Sequence, residues 1–205
     1  MTMNDKITLR TASPSDAEAL LEIYSYYTEE TAVSFETETP TAEEFSRRIA
    51  KTLTKYPYLI AEQNGEILGY SYTSPFVGRA AYIHAAETTI YLKKGAVKKG
   101  IGKRLYTAVE RISEAQNIYT LEACIGTVDN GSEDEHLTNN SAEFHAHMGY
   151  RLVGEFKRCG RKFGKWYNMI WMEKLLREHP ENPEPFIPFP ELISPERFLT
   201  EETDK

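Results

Sequence analysis

Residues 95–104, GAVKKGIGKR, bring Gly95, Gly100 and Gly102 together with Lys98, Lys99, Lys103 and Arg104, directly ahead of an apolar helical repeat. A turn without side chains lets backbone N–H groups approach a ligand, and a helix starting there adds the positive end of its dipole. The chemistry on offer is capture of an anion. A dinucleotide fingerprint needs a third glycine three positions after Gly102, where Leu105 stands. A Walker loop needs Lys-Ser or Lys-Thr after its second glycine, and Ile101-Gly102 follows Gly100 instead. What remains is a pyrophosphate held by the main chain between a strand and a helix, with the lysines outside.

The elements that must position this turn follow from periodicity. ITLRTA (7–12) alternates as a strand, and Ser13-Pro14 supplies an N-cap and first-turn proline for a helix to about Glu30. Thr41-Ala-Glu-Glu44 reads as a capping box opening a helix to about Lys55. YPYLIAEQ, Asn64-Gly65 and EILGYSYTSPF form a hairpin, and AAYIHAAETTIYLK (80–93) is a long third strand. A helix runs from Ile101 with Leu105, Val109 and Ile112 on one face, followed by strand 120–128. An acidic loop at 129–139 leads to a short helix at 140–148, and two strands close the domain near Leu176. The order β-α-α-β-β-β-α-β-α-β-β predicts an α/β (α+β) domain with a mixed, mostly antiparallel central sheet and helices on both faces.

Composition narrows the function classes. The net charge of −7 sits mostly in residues 177–205, which carry eight acids against three bases, or −5, leaving −2 for residues 1–176. A near-neutral body offers no electrostatic footprint for nucleic acid. No apolar run approaches the roughly 20 residues that span a bilayer, and the N-terminus is neither a signal peptide nor a transit helix, so a cytoplasmic protein without membrane contact is expected. Cys124 and Cys159 are too isolated for a zinc or dithiol motif and are expected reduced, in the core, with no metal site. Six of the ten prolines follow Leu176. The expected organisation is a domain over 1–176 and a proline-rich acidic extension over 177–205. Within that extension FIPFPELISPERF (186–198) is too apolar for a solvated linker and is expected to lie extended across the body or a partner.

IYL (90–92), VKKGIGKRL (97–105) and NNSAEFHAHMGY (139–150) resemble the coenzyme A signature of the GNAT acyltransferases. AYIHAAETTIYL, FHAHMGY and GRKFGKWYNMIWM, with SFETETP (34–40), are similar to the phosphinothricin N-acetyltransferase family over about residues 7–175. The departures are Val97, where the superfamily usually has Gln or Arg, a long 129–139 loop, and the tail. The resemblance implies an acetyl-CoA-dependent N-acetyltransferase, a homodimer, acting on a small amine of phosphinothricin or methionine sulfoximine type. It implies cofactor contacts from Ile90, Leu92, Val97, Lys98, Lys99, Gly100, Ile101, Gly102, Lys103, Asn139, Asn140 and Ser141. Two other readings stay open, a protein or peptide N-acetyltransferase and a non-catalytic acyl-CoA-binding module.

Acetyl transfer to an amine needs the amine deprotonated, a donor for the developing oxyanion and a proton for the leaving thiolate. The resemblance places a functional carboxylate at Glu87, the candidate base, acting directly or through a water. It places His145 where many GNAT members carry a tyrosine that protonates the thiolate. Phe35, Phe76, Arg79, Tyr82, Lys162 and Trp166 are the candidate acceptor contacts, with Arg79 able to fork a carboxylate or phosphinate. Lys162 would shape a dimer-borne edge of the pocket.

Overall fold

A computed structural model describes residues 6–96, 100–129 and 132–200. Its elements are β1 (Thr8–Thr11), α1 (Ala17–Glu29), α2 (Ala42–Leu53), β2 (Tyr58–Gln63), β3 (Glu66–Pro75), β4 (Ala85–Leu92), α3 (Ile101–Ala115), β5 (Thr120–Thr127), α4 (Asn140–His147), β6 (Arg151–Lys162) and β7 (Lys165–Leu175). The chain order is the predicted one. One seven-stranded sheet runs β1-β2-β3-β4-β5-β7-β6. Every neighbouring pair is antiparallel except β4 with β5.

Local chemistry accounts for the boundaries. Ser13 and Asp16 form a reciprocal capping box, but it closes a 3-10 turn over Pro14–Asp16, so α1 begins at Ala17. Thr41 Oγ1 accepts from the Glu44 N–H at 3.2 Å, whereas the Glu44 carboxylate turns to Arg48 and leaves the second half of that box unmade. The Asn64-Gly65 turn has positive φ at both residues, 53° and 82°, as a tight hairpin requires. The strand expected from residue 80 starts only at Ala85, because residues 80–82 wind into a 3-10 turn closed by Ile83 N–H to the Ala80 carbonyl at 3.2 Å.

Strand alternation divides the core into two layers. Tyr58, Ile60 and Tyr70 meet Leu20, Tyr24, Phe45 and Ile49 of α1 and α2 on one face. Leu59, Ala61 and Leu68 meet Ile101, Leu105, Val109 and Ile112 of α3 on the other. Leu20, Leu59, Leu105 and Ile112 are fully buried, each worth about 1.5–3 kcal/mol of transfer free energy. Further along that second face, Leu121, Ala123 and Ile125 of β5 pack with Tyr106 and Met148.

The tail crosses the body. Ile187 N–H donates to the Gln116 carbonyl at 3.0 Å, and Phe189 N–H to the Lys55 carbonyl at 2.9 Å. The buried Gln116 amide answers with Nε2 to the carbonyls of Lys55 at 2.6 Å and Ile187 at 3.0 Å. Phe189 is buried among α3 side chains, with Leu192, Phe198 and Leu199 beside it. Proline-held extension lowers the entropy lost on such docking, though the far end folds into two short 3-10 turns, Phe189–Glu191 and Pro195–Phe198.

The cysteines are not core residues. Both are exposed. Alternation puts Cys124 on the face opposite Ala123 and Ile125.

Candidate active site

The parallel pair β4–β5 is joined only at Ala85↔Thr120, Ala86↔Leu121 and Glu87↔Glu122. Beyond that rung β4 stays with β3 and β5 with β7, so the two strands diverge. Among the described residues the β5-facing edge of β4 past Glu87 has no strand partner. The main chain along that edge suits an extended ligand bearing amides, up to Leu92, whose N–H and C=O are bonded to the Tyr27 hydroxyl. A cleft of about 400 Å³ occupies the wedge, with Glu87, Thr88 and Ile90 on one wall and Cys124, Ile125 and Gly126 on the other.

Glu87 and Tyr91 project toward the α1–α2 face, whereas Thr88 and Ile90 project toward α3 and α4. The wedge therefore joins both faces of the sheet at one point. Burial pushes the Glu87 carboxyl above its ordinary value, the direction that suits a base at neutral pH.

On the other face His145 is 3% exposed and lines the cleft. Its Nδ1 lies 2.7 Å from the Ser141 carbonyl and its Nε2 2.7 Å from the Tyr106 hydroxyl. A carbonyl only accepts, so Nδ1 carries the hydrogen. Burial holds the His145 pKa below its ordinary value, so the ring is neutral and Nε2 accepts from Tyr106. The imidazole then has no hydrogen left for the cleft. Tyr106, whose hydroxyl hydrogen goes to Nε2 in this arrangement, also lines the cleft. The sequence carried no signal for Tyr106, because its partner lies 39 residues away.

The glycine turn divides into two roles. Gly100 sits at φ 74° ahead of the 15-residue α3, and an ideal Cβ there would meet nothing within 4 Å. That is open space beside the first-turn N–H groups of α3, which can cradle a pyrophosphate such as that of coenzyme A. Gly102 differs, since a Cβ would lie 3.1 Å from Phe144. Its bareness lets α3 pack on α4. Val97, Lys98 and Lys99 lie outside the described residues.

Of the other expected cofactor contacts, Ile90 and Ser141 line the cleft. Leu92 packs beneath α3, and its carbonyl accepts from the Tyr27 hydroxyl at 2.6 Å. Asn139 Oδ1 accepts from the Val128 N–H at 3.3 Å, and Asn140 is exposed.

Among the acceptor candidates, Phe35 is brought into the cleft lining. Phe76 contacts Tyr82 and Trp171 at ring distances of 5.4 and 5.6 Å, and Trp171 is the β7 partner of cleft-lining Cys124. Arg79 is exposed on the loop between Phe76 and Tyr82. Trp166, 59% exposed, lines a separate cavity of about 340 Å³ with Arg158 and Asn168. Lys162 is 6% exposed, and its Nζ donates to the carbonyls of Ser34 at 2.7 Å and Thr31 at 2.8 Å. Its ammonium is spent on fixing the 31–35 loop, which carries Phe35. Sequence reasoning also passed over Glu36 and Thr88, both in the lining.

Comparison with known proteins agrees with this geometry. The GNAT acetyltransferase domain family matches residues 9–171. A phosphinothricin N-acetyltransferase of Streptomyces coelicolor is 31% identical over 175 residues, covering 83% of this chain and 97% of that protein. An L-methionine sulfoximine/L-methionine sulfone acetyltransferase of Salmonella typhimurium is 26% identical over 176 residues, covering 84% and 96%. A phosphinothricin acetyltransferase from Sinorhizobium meliloti, solved in complex with acetyl-CoA, superposes with a TM-score of 0.77 at 28% identity, covering 89% of this chain and 98% of that one. The wedge between β4 and β5, the bare helix N-terminus beside it and these likenesses converge, and the chain belongs to the GNAT family of N-acetyltransferases.

Proposed function

We propose that this protein transfers the acetyl group of acetyl-CoA to the amine of a small amino-acid-like acceptor, of the phosphinothricin or methionine sulfoximine type. The observation that carries the reading is the wedge itself. It leaves Glu87 and the His145–Tyr106 pair lining one cleft from opposite faces of the sheet. Gly100 and the first turn of α3 hold the pyrophosphate, and the free edge of β4 holds the amide arm. Bound acetyl-CoA supplies an activated thioester. Glu87 takes the proton of the acceptor ammonium, directly or through a water. Tyr106 turns its hydroxyl hydrogen from His145 Nε2 to the sulfur as the thiolate departs.

The relatives support the acceptor class, since they include enzymes named for phosphinothricin and for methionine sulfoximine. The homodimer belongs to the same proposal. Leu152 and Phe156 on the edge strand β6 and Leu175 at the end of its neighbour β7 are more than half exposed, apolar surface of the kind that subunits cover. Sedimentation velocity tests it, a monomer at micromolar concentration counting against it. Thiol release from acetyl-CoA, measured with amino acids, peptides and no amine, tests the activity. Release only with peptides would favour the protein-acetylating reading, and no release with any amine would leave a binding module.

A further inference from the structure

We propose that Thr88 serves acetyl transfer as a positioning residue, its hydroxyl donating to the Tyr106 oxygen as that group gives its hydrogen to the departing sulfur. The inference rests on the donor role that the proposed function gives Tyr106, and deepens it by naming what stabilises the donor once its proton has gone. Thr88 is 4% exposed, it lines the cleft, and its Oγ1 has no hydrogen-bond partner among the described residues. A buried hydroxyl left in that state costs folding free energy. Such a group in the wall of a cleft points to a use outside the resting arrangement.

The strand puts this hydroxyl beside Tyr106. Ala86 and Ile90, two residues before and after Thr88, pack in the same cluster as Tyr106 and Tyr150, so alternation turns all three β4 side chains toward α3. In that cluster the Tyr106 ring lies 5.3 Å from His145 and 5.9 Å from Tyr150. Burial raises the Tyr106 pKa, and the nearby Thr88 hydroxyl opposes that rise without meeting Tyr106 in hydrogen-bonding geometry. At rest the Tyr106 hydroxyl is engaged instead with His145 Nε2, at 2.7 Å.

The reaction changes that balance. As the carbon–sulfur bond breaks, its electron pair passes to sulfur, which takes the Tyr106 hydrogen and leaves a phenolate; solvent returns the proton after the thiol departs. A buried phenolate needs a donor. His145 has none to offer, because its one ring hydrogen is on Nδ1 against the Ser141 carbonyl. Thr88 has one. A hydroxyl bonds a charged oxygen more strongly than a neutral one, so this contact gains most in the transition state, which is the condition for raising kcat rather than tightening binding.

The test is a double-mutant cycle in the full-length protein, read as kcat for thiol release from acetyl-CoA with an accepted amine. Thr88→Val keeps the shape and removes the hydroxyl. It should lower kcat about tenfold with the KM for acetyl-CoA little changed, as loss of one charge-assisted hydrogen bond implies, while the melting temperature does not fall. Thr88→Ser should restore most of the rate. In a Tyr106→Phe background, Thr88→Val should cost nothing further. Tyr150→Phe removes another buried, unpartnered hydroxyl of the cluster, outside the cleft lining, and should leave kcat unchanged. Wild-type kcat in Thr88→Val, or a loss of the same size in both backgrounds, would overturn the role of Thr88 while leaving acetyl transfer standing. Wild-type kcat in Tyr106→Phe would instead remove the donor role beneath it.

Discussion

Glu122 offers a quantitative test of how the wedge is built. It is the β5 partner of Glu87 at the last rung before the strands part, and it is 9% exposed. Burial, reinforced by neighbouring Glu173 and opposed by Arg151, pushes its pKa from an ordinary 4.5 up to about 7. Below pH 4.5 the folded and unfolded chains both hold the proton and no penalty exists. Between 4.5 and 7 the unfolded chain ionises first, so the folded state binds more protons and stability falls as pH rises. Above 7 the penalty is complete. A shift of about 2.5 units at 1.36 kcal/mol each gives about 3.4 kcal/mol as an upper bound, and about 2 kcal/mol after screening at a group beside Arg151. Glu122→Gln keeps the shape and removes the titration. Urea unfolding midpoints from pH 4.5 to 8.5 should show the variant gaining about 2 kcal/mol on wild type between the two ends. Parallel curves for the two proteins would refute the claim that this carboxyl is buried against its ionised form.

Glu87→Gln should lower kcat most at pH values below the acceptor's pKa and recover as the amine deprotonates unaided. Wild-type activity should rise with pH through the elevated Glu87 pKa, and a flat wild-type-like profile in the variant would take Glu87 out of the chemistry. Tyr106→Phe should lower kcat with acetyl-CoA affinity little changed, and the deficit should shrink with a thioester whose leaving thiol is more acidic. An equal deficit for both thioesters would deny Tyr106 the donor role. Gly100→Val strains a position at φ 74° and fills the open space before α3, so calorimetry should find acetyl-CoA binding weakened far more than in Lys98→Ala; equal losses would sink the main-chain cradle. Gly160→Ala places a Cβ within 2.8 Å of Phe35 Cδ2 and Cζ. It should cost about 1–3 kcal/mol in stability and raise the acceptor KM, and an unchanged KM would show that Phe35 does not bound the acceptor. Truncation after Leu176 removes buried Phe189 from α3 and should lower the melting temperature while turnover per folded molecule is largely kept; an unchanged melting temperature would contradict the docking.

The sequence by itself determined what depends on neighbours along the chain. The 3.6-residue repeat of Leu105, Val109 and Ile112 and the Asn64-Gly65 turn between two β-rich runs are local signals, and the helix and the hairpin stand where those signals put them. The left-handed turn at Gly100 was legible for the same reason, because a glycine directly ahead of a helical repeat marks it. Pairings across the sheet were not. The parting of β4 from β5 after Glu87 follows from β3 and β7 each keeping its own partner, which no local pattern records. That parting leaves Cys124 lining a cleft rather than the core, and the packing of α4 on α3 brings Tyr106 and His145, distant in the chain, into one hydrogen bond. Packing of β6 against the 31–35 loop likewise spends Lys162 on the Thr31 and Ser34 carbonyls. A side chain's type can be read from sequence, but its partner is set by packing among residues far apart in the chain, and chemistry at this site depends on the partner.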